Sequence, residues 1–131
     1  MIGLDTNVLV RYIAQDDAKQ SPRATSLMST LTIDNPGFIP LITLIELVWV
    51  MQECYDATKQ DVVAILETLL RTKELIVENA EIALKALHIF IASKADFSDC
   101  VIERSAHKAG CECIFTFDKD AARTAGMRMM D

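Results

Sequence analysis

Short, solid apolar runs alternate along the chain with longer segments whose apolar residues recur every three or four positions. Ile2-Gly3-Leu4, Phe38-Ile39, Leu75-Ile76-Val77 and Cys113-Ile114-Phe115-Thr116 are runs of the first kind. They are too short for helices, and their continuous apolarity predicts strands covered on both faces. Val8, Leu9, Tyr12 and Ile13 predict a helix opened by Thr6 and Asn7 and ended by Asp16 and Asp17. Ser21-Pro22 sets a capping residue before a proline at the first helical position, which predicts a helix to about Thr32. Asn35-Pro36-Gly37 is a turn. A helical run then leads from Pro40 through Leu44, Leu47, Val48, Met51 and Tyr55. Lys59 to Thr72 is amphipathic through Val62, Ile65, Leu66, Leu69 and Leu70. Helices over Ala80 to Ala95 and Ser98 to Ala109 follow, the second capped by Ser98 and stopped at Gly110. Lys119 to Ala125 forms a last helix, and Met127 to Met130 an edge strand.

Strands alternating with helices predict an α/β domain of three layers: a central, mainly parallel sheet of four to five short strands, with helices on both faces. No repeat, linker or low-complexity tract interrupts the pattern, so residues 1–131 read as a single domain. In such sheets ligands bind beyond the carboxyl ends of the strands. Acids fall there. Asp5 ends the first strand, Asp118 follows the Cys113–Thr116 strand, and Asp99 opens the helix before it. Asp96 and Asp99 bracket Phe97-Ser98.

Each acid has a plain structural alternative. Asp5 and Asp118 are good helix caps, although Thr6, Asn7 or Asp120 would serve as well. Ser98 suffices as a cap for its helix, leaving Asp99 to favour the helix dipole. Glu46 is harder to explain this way. It interrupts Leu41-Ile42-Thr43-Leu44-Ile45-Glu46-Leu47-Val48-Trp49-Val50-Met51, and an ionised carboxylate on a buried helix is costly unless paired or metal-bound. An ion pair or an exposed stripe is its alternative.

If these carboxylates converge, like-charge repulsion calls for a cation. Oxygen ligands without clustered His or Cys favour Mg²⁺, with Mn²⁺ also plausible, over zinc. Such an ion activates water and polarises a phosphoryl oxygen.

Composition narrows the setting. The chain is 51% hydrophobic and 24% charged, with no apolar run long enough to cross a membrane. Its N-terminus lacks the basic start of a secretory signal, so the cytoplasm is the expected location. Four cysteines without zinc-finger spacing read as buried free thiols. A net charge of −6 argues against tight, purely electrostatic nucleic-acid binding.

With these residues in hand, the sequence resembles the PIN-domain ribonucleases, and among them the VapC-like toxins of type II toxin–antitoxin pairs. Four blocks carry the resemblance in order: Gly3-Leu4-Asp5-Thr6-Asn7-Val8-Leu9-Val10-Arg11-Tyr12, Leu44-Ile45-Glu46-Leu47-Val48-Trp49-Val50, Asp96-Phe97-Ser98-Asp99-Cys100, and Gly110-Cys111 with Thr116-Phe117-Asp118-Lys119. It implies a Mg²⁺-dependent endoribonuclease with Asp5, Glu46, Asp99 and Asp118 as catalytic acids. Asp5, Asp99 and Asp118 would be metal ligands, with Glu46 and Asp96 as further candidates. Asp96 is a companion, and Thr6, Asn7 and Thr116 fall where such proteins orient the carboxylates. A homodimer and a VapB-like antitoxin are implied as partners, the antitoxin tail filling an acidic groove. Glu103-Arg104 departs from the small or apolar residues expected there.

The alternatives are a PIN-fold binding module without catalysis, phosphatase chemistry through an aspartyl nucleophile, and metal-free acid–base chemistry by histidine. The second lacks a nearby second Asp beside Asp5. For the third, His88 sits in an apolar helix and is expected in the core, with His107 solvated. Phe38, Tyr12, Tyr55, Trp49 and Phe97 read mostly as core and offer no stacking platform for RNA. Arg11, Lys94, Lys119 and Arg123 are candidates for its path.

Overall fold

A computed structural model describes residues 1–130, so the last residue of the expected domain lies outside the described residues. The chain divides into two compact units, Met1–Ala80 and Glu81–Asp131.

In the first unit, β1 (Ile2–Gly3), β2 (Gly37–Ile39) and β3 (Leu75–Val77) pair in parallel in that order. Helices α1 (Thr6–Ala14), α2 (Gln20–Thr30), α3 (Leu41–Tyr55) and α4 (Lys59–Arg71) fill the crossovers. Parallel strands need such connections, because a tight turn cannot reverse the chain twice. Leu9, Ile39, Leu44, Leu47 and Leu66 are fully buried among them. A Cβ at Gly37 would meet the Leu31 and Leu4 side-chain ends at 2.8 Å and Leu75 at 2.9 Å, so those methyls would have to shift to admit one.

The caps of this unit differ from those the sequence suggests. Asp17, not Ser21, caps α2, its Oδ1 accepting from the Lys19 and Gln20 amides at 2.9 and 2.7 Å. Ser21 is buried, and its Oγ accepts from the Asp17 amide. An Asp reaching forward from outside the helix does the work predicted for a Ser one turn later. Helix α1 ends before Asp16, with Gln15 in the left-handed region (φ 52°). Thr58 and Asp61 form a reciprocal capping box at α4. Glu78 closes the start of α3, its Oε1 accepting from the Leu41 amide at 2.9 Å.

The second unit holds α5 (Ala80–Ala92), α6 (Phe97–Lys108), β4 (Phe115–Thr116), α7 (Lys119–Thr124) and β5 (Arg128–Met129). Strands β4 and β5 pair in parallel, joining Phe115 to Arg128 and Thr116 to Met129. Phe90 and Phe97 meet edge to face at 6.0 Å, and Leu87, Phe97, Cys100 and Val101 are buried. Gly110, at φ 91°, follows α6 as expected. Asp96, not Ser98, occupies the N-cap of α6, and α5 stops at Ala92 rather than Ala95.

The α/β class holds, with seven helices and five short parallel strands among the described residues. The strands pair as three and two. Of the cysteines only Cys100 is buried; Cys54 and Cys111 are exposed, correcting the expectation of buried thiols. Among the described residues no helix is long and apolar enough to cross a membrane.

Candidate active site

In the first unit, Asp5 follows β1 directly. The Leu4 amide still bonds to Phe38 O at 2.8 Å, so the last strand contact fixes the backbone one residue before the carboxylate. Asp5 holds the N-cap position of α1, and its carbonyl accepts from Val8 and Leu9. Its carboxylate, however, makes no capping hydrogen bond. The cap explanation for this side chain therefore fails. Asp5 is exposed, as is Asn7.

Thr6, beside it, is 6% exposed, and its Oγ1 has no hydrogen-bond partner among the described residues. Leaving a buried hydroxyl unpaired costs about 1–3 kcal/mol. A polar group kept at that cost points to a role outside the fold's own hydrogen bonding.

Glu46 is exposed on α3, and no described residue forms an ion pair with it. The expectation that burial makes Glu46 costly is corrected. The apolar run around it contains a second stripe, in which Ile42 and Trp49 are 62% and 61% exposed. Ile42, Glu46 and Trp49 recur at helical spacing, so Glu46 lies on an open face rather than in the core. What remains is an accessible carboxylate without a charge partner.

The second unit brings three of the predicted acids within electrostatic reach of one another. Asp96 sits at the N-cap of α6 with its carbonyl accepting from Cys100 at 3.1 Å, yet its carboxylate caps nothing. Asp99, in the first turn of the same helix, is half-buried. Burial pushes its pKa above the ordinary carboxylate value, and the charges of Asp96 and Asp118 push it further. Asp118 does cap a helix: its Oδ1 accepts from the Asp120 amide at 2.8 Å and the Ala121 amide at 3.4 Å. Thr116 Oγ1 in turn accepts from the Asp118 amide at 3.0 Å, which sets the turn carrying that carboxylate. Thr116 therefore helps shape the Asp118 turn, in which Asp118 Oδ2 takes no hydrogen bond among the described residues.

Glu103, a turn beyond Asp99, is not part of this set. Both its oxygens engage the Arg104 guanidinium, one of them at 2.7 Å, and the pair is largely buried. The bond to Glu103 raises the Arg104 pKa. The charge pair that departs from the family pattern thus neutralises itself locally.

Several other expectations change. His88 is exposed, not in the core. Tyr12 and Trp49 are exposed, Phe38 and Tyr55 half-buried, and only Phe97 of that group is buried. Arg11 is committed to structure, with Nη1 donating to Asp16 Oδ1 at 3.2 Å and to Tyr55 Oη at 3.3 Å, and Nε to Gln20 Oε1 at 2.8 Å. Arg123 pairs with Asp120 at 3.2 Å. Sequence reading missed Phe115 and Phe117, which are 58% and 77% exposed beside Asp118. An apolar run ending at an acid does not say which of its residues the core leaves out.

Oxygen donors in this set suit a hard divalent cation, and the crowding at Asp99 is what such a charge relieves. Among the described residues, no three His, Cys, Asp or Glu side chains already stand close enough to hold a metal ion.

A family model described as PIN domain matches residues 2–127. The VapC ribonuclease of Aquifex aeolicus (strain VF5) is 23% identical over 116 residues, covering 88% of this chain and 86% of that protein.

Proposed function

Since the chain belongs to the PIN domain family, we propose that it is a nuclease, and specifically a metal-dependent endoribonuclease acting as the toxin of a VapBC-type pair. Asp5, Glu46, Asp99 and Asp118 are its proposed catalytic acids. Asp5, Asp99 and Asp118 would hold Mg²⁺ or Mn²⁺, with Glu46 and Asp96 as further candidate ligands. The observation that carries the reading is the pair of idle N-cap carboxylates. Asp5 and Asp96 occupy capping positions and cap nothing, although each helix leaves amides that such a side chain would satisfy.

When bound, the cation supplies charge for a phosphoryl oxygen and acidifies water. The chain's own residues divide the remaining work. Thr116 fixes the turn that presents Asp118. The Asp99 carboxyl, half-buried and crowded, holds a proton more readily than an ordinary Asp. Glu46, accessible and in no ion pair among the described residues, is the proposed acceptor of a proton from water. Thr6 offers a hydroxyl not spent on the fold, and Asn7 an exposed amide in the first turn of α1.

Likeness to a VapC ribonuclease supports RNA as substrate, a VapB-like antitoxin and a second copy of the chain as partners, and the cytoplasm as location. A single domain over residues 1–131 belongs to the same reading. The family match, running from residue 2 to residue 127, supports it.

The test is cleavage of single-stranded RNA by the full chain. Cleavage is expected with Mg²⁺, none after chelation, and little in Asp5→Asn at unchanged folding. Undiminished cleavage by Asp5→Asn, or in excess chelator, would refute the mechanism. Size-exclusion of the chain alone and with its candidate antitoxin tests the partners, and a monomer indifferent to it removes them.

A further inference from the structure

A chain of net charge −6 cannot hold a polyanion by bulk attraction, so its affinity must come from local contacts. Phe115 and Phe117 are 58% and 77% exposed, an unusual loss of burial for two large apolar rings. Strand preference accounts for Phe115, which lies in β4. It does not account for Phe117, which lies in the bend after the strand and immediately before Asp118.

Thr116, between the two rings, is turned to the Asp118 amide, so the residue separating the phenylalanines serves the acidic turn. Both rings thus lie within three residues of Asp118 along the chain. Arg128, brought opposite Phe115 by the β4–β5 register, places its guanidinium 5.9 Å from that ring's centre. Lys119, next after Asp118, is exposed and forms no ion pair among the described residues. Aromatic faces with cations beside them are what unstacked bases and their phosphates bind.

We propose that Phe115 and Phe117, with Arg128, form a stacking platform that holds bases of single-stranded RNA next to Asp118. This rests on the ribonuclease reading and assigns to it a substrate-holding surface outside the acidic residues. Stacking tolerates any base, so the platform supplies affinity and leaves sequence choice to other contacts. Arg128 places a positive charge beside Phe115 in a chain whose net charge is −6.

The experiment measures binding of a labelled single-stranded RNA to the full chain in chelator, by fluorescence anisotropy, so that cleavage plays no part. Phe117→Ala is expected to weaken binding roughly 5- to 100-fold, with Phe117→Trp retaining it. Arg128→Gln should weaken it less and flatten its salt dependence. Unfolding curves identical to wild type show that the exposed rings were not structural. Unchanged affinity in Phe117→Ala overturns the proposal, as does a wild-type chain with no affinity. A double variant that splits a dimer in sedimentation but binds RNA normally also overturns it, assigning the rings to an interface between copies. A chain that binds through the rings but never cleaves would refute the nuclease reading and leave the platform standing. Cleavage lost in Asp99→Asn, with binding untouched in Phe117→Ala, does the reverse.

Discussion

The two units carry similar acids in dissimilar surroundings. In the first, Asp5 and Glu46 are exposed, and neither has a charge partner among the described residues. The polar anomaly there is a neighbour, the orphaned hydroxyl of Thr6. In the second, Asp96, Asp99 and Asp118 feel one another, and the half-buried member bears the penalty. One region leaves its acids to solvent; the other holds like charges together against their repulsion, which raises the Asp99 pKa.

The largest expected effect exploits that difference. Asp5→Asn and Asp99→Asn each remove a proposed ligand and should lower RNA cleavage at least about a hundredfold, since ligands matter no less than their supports. Their stabilities should diverge. The folded Asp99 has a raised pKa, so above its ordinary value of 3.8 the fold holds a proton that the unfolded chain releases. Stability from this group therefore falls as pH climbs from 3.8 through the raised folded value, and the loss is complete above it. Asp99→Asn should melt above wild type at pH 7, with the gap closing in acid, whereas Asp5→Asn, which removes no capping hydrogen bond, should melt near wild type at pH 7. Equal melting shifts in the two variants would erase the contrast.

Next comes Thr6→Val, which keeps the side-chain shape and removes the unpaired hydroxyl. It should stabilise the chain by about 1–3 kcal/mol in denaturant unfolding. A simultaneous drop in cleavage would tie that hydroxyl to the site, and full activity would leave it without a role there.

Capping gives a smaller separation. Asp118→Ala removes acceptors from two α7 amides and should cost about 1 kcal/mol, while Asp5→Ala removes none. Guanidinium unfolding compares them directly, and an equal cost would contradict the idle cap at Asp5.

The smallest effect is an acid limb. Hydrogen bonding from Tyr55 and then Arg11, outweighing burial, lowers the Asp16 pKa. Its contribution is present above the ordinary carboxylate value and is lost as pH falls through the lowered one. Tyr55→Phe should shift the acid unfolding midpoint of the chain slightly upward, as read by circular dichroism.

Much of this was legible along the chain. Helical spacing located α3 and α4 to within a residue, because their buried stripes are long and periodic. Leu75-Ile76-Val77 marked β3 unaided, and Gly110 marked the end of α6. The acids themselves stood out through their spacing and their resemblance to a family, and Thr116 beside Asp118 was found the same way. Caps were read less well. The protein caps α2 with Asp17 and leaves Asp96 idle at α6, although Ser21 and Ser98 had equal local claims.

Residue pattern and order therefore determined the α/β class, the parallel connections and the candidate acids, since periodicity and strand-end position are local properties. Tertiary structure decided which side of each pattern faces water. It exposed Glu46 within an apolar run, left Phe115 and Phe117 outside the core, tied Glu103 to Arg104, and crowded Asp99 with Asp96 and Asp118. Exposure and electrostatic neighbourhood depend on residues distant in sequence, and no spacing rule encodes them.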